Sequence, residues 1–139
     1  MTDRPNYVLD DQIGYLLRRV TQRHLAIFNE AIPVVTTTQF AVIARLVQLG
    51  PMSQNLLGRE TAMDAATIKG VVDRLSREGL VSTTPDPDDK RRLTVMLTPA
   101  GAALFDNQVA TALNISDKTL APLTADERAQ LISLMSKLT

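Results

Sequence analysis

Two strand-like segments, Leu80-Val81-Ser82-Thr83-Thr84 and Leu93-Thr94-Val95-Met96-Leu97, enclose Pro85-Asp86-Pro87-Asp88-Asp89-Lys90-Arg91-Arg92, a continuous run of turn-forming and charged residues. Leu93, Val95 and Leu97 alternate onto one face, the period of a half-buried strand. The prolines and aspartates of the run favour turns over strand or helix. The stretch is therefore expected to fold as a β-hairpin whose tip, from Asp86 to Arg92, carries Lys90, Arg91 and Arg92.

Helical spacing accounts for most of the rest. Leu9, Ile13, Leu16, Leu17, Val20, Ile27 and Phe28 recur three and four residues apart from about Leu9 to Ile32, and Pro33 stops the pattern. A second helix opens at Thr36, which has capping-box spacing to Gln39, and runs through Phe40, Val42, Ile43, Leu46, Val47 and Leu49 to Gly50-Pro51. Ser53 caps a short helix holding Leu56 and Leu57. Asp64 caps the next, with Ile68, Val71, Val72 and Leu75 at helical spacing and Gly79 at its end. Beyond the hairpin, Thr98-Pro99 starts a helix that extends to about Leu120, ahead of Pro122. Thr124-Ala125-Asp126-Glu127 is a capping box for the last helix, with Leu131, Ile132, Leu134, Met135 and Leu138. Two short helices followed at once by a charged hairpin make the order of a winged helix-turn-helix. The fold class expected is mainly α with a small β-hairpin wing, and the recognition helix lies at about Asp64–Glu78.

A chain of 139 residues, 45% hydrophobic, suffices for one domain with a real core. Aromatic residues make up 4% and Trp is absent, which argues against a stacking surface for single-stranded nucleic acid. The lack of Cys excludes disulfides, thiolate zinc sites and cysteine redox chemistry, and the single histidine, His24, leaves no His-rich metal cluster. No metal or cofactor is expected. No apolar run approaches ~18 residues, and Met1-Thr2-Asp3-Arg4-Pro5 has no leader-like apolar stretch, so a soluble cytoplasmic protein is expected. There is no Ser–His–Asp or Cys–His set and no Gly-rich phosphate loop. Asp86, Asp88 and Asp89 sit on a turn-rich loop that they shape or solvate. An enzyme is not expected.

The formal net charge is zero, whereas DNA-binding chains usually carry a basic excess. Between Asp64 and Arg92, Lys69, Arg74, Arg77, Lys90, Arg91 and Arg92 are matched by Asp64, Asp73, Glu78, Asp86, Asp88 and Asp89. The argument for DNA rests on placement instead. At roughly 100° per residue, Ile68, Val71, Val72 and Leu75 share one quadrant of the Asp64 helix, and Ala66, Gly70, Asp73 and Arg77 lie opposite, flanked by Thr67, Lys69 and Arg74. The small residues Ala65, Ala66 and Gly70 let such a helix approach the floor of a major groove about 12 Å wide. Lys69 and Arg74 then reach base acceptors or phosphates, and Thr67 a thymine methyl or a phosphate. On the hairpin tip, an arginine suits a narrow minor groove, and Asp89 is placed to hold Arg91 by a charge-assisted hydrogen bond.

The segment Asp86-Pro87-Asp88-Asp89-Lys90-Arg91-Arg92, continuing to Thr98-Pro99-Ala100-Gly101, resembles the wing signature of the MarR (multiple antibiotic resistance regulator) family. Thr67-Ile68, Val72-Asp73-Arg74-Leu75 and Glu78-Gly79-Leu80-Val81 are similar to that family's recognition helix and its exit, and Thr36 with Gln39-Phe40 to the start of its second helix. The resemblance runs in order along nearly the whole chain. It implies one MarR-like domain over residues 1–139, with dimerisation helices at about 8–32 and 99–139 and a winged helix-turn-helix at about 36–98. It implies a homodimeric transcription regulator, a repressor rather than an activator, that binds a pseudo-palindromic double-stranded operator. The DNA-binding residues it points to are Thr67, Lys69, Arg74, Asp89, Lys90, Arg91 and Arg92. Two departures stand out: Ala62 where the family's turn often has Gly, and Gly58 where it often has Ala.

Outside the DNA-reading part, His24 falls within the stripe made by Leu17, Val20, Ile27 and Phe28, with Arg23 at its edge and Arg18 on the other side. One reading is a satisfied core histidine. The other is a group that, with the Arg18/Arg19/Arg23 cluster, binds a small carboxylate, arginine being permanently charged and bidentate. Gly14-Tyr15-Leu16-Leu17-Arg18-Arg19 with Gln22-Arg23-His24 resembles the first helix of MarR-type regulators that answer to aromatic acids. This implies a small aromatic carboxylate effector, phenolic or pyridine, near Tyr15, Arg18, His24 and Phe40. The alternative function is a winged-helix protein-interaction module without DNA binding, which the zero net charge keeps open.

Overall fold

The computed structural model describes residues 3–139; Met1 and Thr2, which begin the segment read above for a leader, lie outside them. The chain forms two compact units. One comprises the residues up to Ala31 together with Ala112–Thr139, and the other comprises Ile32–Thr111.

In the first unit, Leu9–Asp11 is a single 3-10 turn and α1 is Ile13–Ala31. The first helix was expected to begin at Leu9. Instead Gln12 takes an extended backbone, and its side chain donates to the Val8 carbonyl at 2.9 Å. That local bond competes with continuation of the helix. The unit also holds the end of α5 (Pro99–Thr119) and α6 (Ala125–Lys137). The capping box read at Thr124 and Glu127 is present in both directions. Phe28 and Ile115 are buried, but Ile13, Leu17, Val20, Leu113, Ile132, Leu134 and Leu138 are exposed. Helical periodicity marks an apolar face without saying what covers it.

The second unit opens with α2 (Thr37–Leu49), whose Thr36–Gln39 capping box is complete. Then follow β1 (Met52–Ser53), α3 (Gln54–Glu60), α4 (Ala65–Arg77), β2 (Val81–Pro85) and β3 (Leu93–Leu97). Its core gathers Val42, Ile43 and Leu46 of α2, Leu57 of α3, Ile68, Val71, Val72 and Leu75 of α4, and Val81 and Val95 of the sheet. The order of four helices, hairpin and two helices is as expected, with one addition. The sheet has three antiparallel strands in the order β1-β3-β2, because Met52 pairs with Val95 and Ser53 with Thr94. Two residues are too short for any period to announce them as a strand.

The α3–α4 turn explains the exchange of glycine and alanine. Ala62 has φ of 56°, a left-handed conformation that costs a residue with a Cβ roughly 1–2 kcal/mol. Gly58 faces the same turn, and a Cβ there would stand 3.1 Å from the Met63 carbonyl and 3.2 Å from Ile68 Cγ2. A small residue at 58 lets the turn close on Ile68, and the left-handed strain is carried at 62. At the far side of the wing, a Cβ on Gly101 would fall 2.1 Å from the Leu80 carbonyl oxygen. The first turn of α5 thus packs directly on the backbone leaving α4.

Candidate nucleic-acid interface

Helix α4 starts where Asp64 accepts a 2.7 Å hydrogen bond from the Thr67 amide. The bonds donated by Thr67 hold the Asp64 carboxyl below the ordinary aspartate range. Its apolar quadrant is buried, which turns Ala65, Ala66, Thr67, Lys69, Asp73, Arg74 and Arg77 to the surface. Lys69 is paired with Asp73 one turn on, at 2.9 Å, with its side chain 66% exposed. Exposed pairs of this kind are worth only ~0.3–0.5 kcal/mol, so Lys69 is free to exchange Asp73 for a phosphate. A Cβ on Gly70 would meet nothing within 4 Å. No contact inside the chain accounts for a glycine in mid-helix, where it costs roughly 0.5–1 kcal/mol relative to alanine.

The wing tip is built by its own acids. Asp86 Oδ1 accepts from the Asp88 amide at 2.8 Å, and Asp89 Oδ1 from the Arg91 amide at 3.0 Å. Backbone bonds from Asp86 N to Arg92 O and from Arg92 N to Asp89 O close the loop. These are Asx turns, in which the carboxylate stands in for a backbone carbonyl. Asp89 Oδ1 also receives Arg91 Nε at 3.4 Å, while the Arg91 side chain remains 92% exposed. Lys90 and Arg92 are exposed as well. The charges of this segment are thus arranged unevenly, although they balance in number. Asp64, Asp73, Asp86 and Asp89 are engaged in caps, turns or a helix pair, and the cations of the wing face solvent.

One part of this surface was not legible in advance. The pairing of β1 with β3 sets the first residues of α3 beside the base of the wing. There Gln54, Asn55, Arg91, Arg92 and Leu93 line a small recess of about 70 Å³. Gln54 and Asn55 lie in the short helix capped by Ser53, but nothing in their spacing ties them to the wing; the strand pairing does.

The residues proposed for the effector divide between the two units. In the first, Tyr15 is half-buried with the Arg19 guanidinium 5.9 Å from its ring centroid. Arg18 is exposed. His24 Nδ1 lies 2.8 Å from Thr119 Oγ1, and Arg23 donates to the carbonyls of Thr119 and Lys118. The run Arg18/Arg19/Arg23 is therefore not one cluster: Arg19 leans on Tyr15, Arg23 closes the end of α5, and Arg18 is left facing outward. Phe40 belongs to the second unit, where it stacks on Phe105 with centroids 5.8 Å apart.

The MarR family model matches residues 35–93, from the approach to α2 to the start of β3. The transcriptional repressor NicR of Pseudomonas putida is 41% identical over 138 residues, which is 98% of this chain and 87% of NicR. The chain belongs to the MarR family. A probable transcriptional regulator from Pseudomonas aeruginosa, 50% identical, superposes with a TM-score of 0.91 over 95% of this chain and 100% of that one. BpsR of Bordetella bronchiseptica, whose DNA binding is regulated by 6-hydroxynicotinic acid, is 38% identical with a TM-score of 0.91, covering 96% and 97% of the two chains.

MarR membership makes the chain a transcription regulator and not an enzyme. Among the described residues no helix is long and apolar enough to cross a membrane, and no group of three or more acidic or histidine side chains is arranged to hold a metal ion.

Proposed function

We propose that this MarR-family chain is a cytoplasmic repressor that binds a pseudo-palindromic operator as a homodimer and is released by a small aromatic carboxylate. The observation that carries the DNA part is Gly70. It opens the exposed face of α4 with no packing reason among the described residues, in the same unit as a wing whose Asp86 and Asp89 hold turns and whose Lys90, Arg91 and Arg92 side chains are exposed. In this reading α4 enters the major groove, with Thr67, Lys69 and Arg74 against bases or phosphates, and Arg91, oriented by Asp89, enters the adjoining minor groove. Lys90 and Arg92 bind backbone. The dimer is supported by the apolar side chains that the first unit leaves exposed on α1, α5 and α6, a larger apolar surface than a monomer normally carries. Two modules then read half-sites about one helical turn, ~34 Å, apart.

The effector class is supported by the likeness to BpsR and by Arg18, an exposed guanidinium on the same helix as Tyr15 and His24. Such a ligand acts only by binding the DNA-incompetent arrangement of the dimer better than the competent one. The interaction-module alternative drew on zero net charge, against which stands the exposure of Lys90, Arg91 and Arg92 together on the wing. The test is fluorescence anisotropy with duplex DNA from upstream of the protein's own gene, at two salt concentrations, with and without 6-hydroxynicotinate. Specific, salt-sensitive binding that the acid weakens is expected. Equal binding to unrelated DNA, or none at low salt, would favour the interaction module. Specific binding untouched by hydroxylated pyridine or benzene carboxylates would remove the effector class alone.

A further inference from the structure

The recess at the wing base has the chemistry of an oxyanion site. Its polar lining consists of the Gln54 and Asn55 amides and the Arg91 and Arg92 guanidiniums. No carboxylate lines it, although three aspartates stand in the adjoining loop. Arg91 keeps its Nε on Asp89. Among the described residues Gln54, Asn55 and Arg92 make no side-chain hydrogen bond to another residue. The volume of about 70 Å³ holds roughly two waters, at ~30 Å³ each, or one tetrahedral phosphate group, and is far below the ~300–1,000 Å³ of sites for whole small molecules. The recess exists because β1 pairs with β3. Pairing of Met52 with Val95 and Ser53 with Thr94 ends β1 at Ser53, and the chain turns into α3 with Gln54 and Asn55 at the Arg91–Leu93 end of β3. It opens beside the wing, on the unit that carries α4.

We propose that Gln54, Asn55 and Arg92, with Arg91 at the rim, form a socket for a single phosphate of the operator backbone, fixing the wing at a set distance along the strand from α4. This rests on the DNA-binding reading above and adds to it a contact from α3. Arg92 supplies the unspent charge, the two amides supply neutral donors, and Arg91 flanks the mouth while remaining tied to Asp89. Guanidinium and amide groups gathered on a phosphate position a protein on the duplex without reading sequence. The socket therefore sets register, and the base preference stays with α4.

The test uses the full chain and labelled duplexes in anisotropy titrations across a series of salt concentrations. Asn55→Asp preserves shape and places a negative charge in the socket, and Gln54→Ala removes one donor. Each is expected to weaken binding roughly tenfold, on upstream and unrelated duplexes alike, with an unchanged thermal melt. Arg92→Ala should lower the slope of log affinity against log salt by about one. Combined with Gln54→Ala, it should cost less than the sum of the two. A neutral methylphosphonate scanned along the half-site should find one position that matters to the wild type and not to that double variant. Wild-type affinity in both Asn55→Asp and Gln54→Ala overturns the socket, as does a loss confined to the upstream sequence. Inorganic phosphate should compete with duplex better than chloride at equal ionic strength; phosphate that binds the free protein without displacing duplex overturns the backbone as the occupant. A wild type that binds no duplex at low salt overturns the DNA-binding reading, and the socket with it.

Discussion

Gly70 is the residue at which stability and function separate most cleanly. It sits in mid-helix with open space where a Cβ would be. Gly70→Ala should therefore stabilise the fold by roughly 0.5–1 kcal/mol, measured by urea denaturation. The added methyl would stand between α4 and the groove floor, so operator affinity should fall while Tm rises; affinity that rises with Tm would mean that α4 does not approach DNA closely. The wing offers a second separation. Arg91→Ala should cost about 1–3 kcal/mol of operator binding and leave the melt unchanged, because its side chain is almost wholly exposed. Asp89→Asn keeps an oxygen to accept the Arg91 amide and so should keep the Asx turn, losing only the ionic part of the Arg91 contact. Its binding should fall between the wild type and Arg91→Ala. An Asp89→Asn protein weaker than Arg91→Ala would assign Asp89 a role other than orienting its neighbour. Spacing in the sequence suggested the Asp89–Arg91 pair, but not that the same oxygen also holds the backbone of the loop.

At the scale of elements, the caps were the most legible features because each is closed by groups three residues apart. Thr36, Ser53, Asp64 and Thr124 all accept the amide expected of them. Two of these caps respond to acid. Hydrogen bonds from Thr67 depress the Asp64 carboxyl, and those from Thr124 depress Glu127. A carboxyl whose folded value lies below its ordinary one, about 3.9 for Asp and 4.3 for Glu, contributes its stabilisation in full above that ordinary value and loses it as pH falls through the folded value. Denaturant midpoints should therefore drop on acidification in this range. The drop should be shallower in Asp64→Asn and in Glu127→Gln, which cap without ionising. A wild-type acid profile in both variants would show that other carboxyls govern the transition. Because Asp64 heads α4, acid should also loosen the first turn of that helix. The one element missed, β1, lacks any such local signature: its two residues become a strand only through partners some forty positions away.

For the molecule as a whole, the first unit is where sequence and structure make different statements. The apolar stripe of α1 is plain in the sequence, yet Ile13, Leu17 and Val20 lie exposed, as do Leu113 of α5 and Ile132 of α6. If a second copy covers them, Ile132→Glu should shift the protein to a monomer in sedimentation and cut operator affinity at least tenfold, since one module alone makes too few contacts. A dimer of undiminished strength would place the interface elsewhere. Arg18→Ala should remain dimeric and DNA-bound but lose its response to aromatic acids; a normal response would release Arg18 from the effector site. Helix boundaries, caps and the charged hairpin follow from hydrogen bonds and apolar periods that close within a few residues, and these the sequence by itself determined. Only the tertiary structure decided that Arg23 and His24 end on Lys118 and Thr119, and that α3 starts against the wing. Each depends on contacts between residues about forty to a hundred positions apart, and pairings at that separation impose no period or spacing on the sequence near either partner.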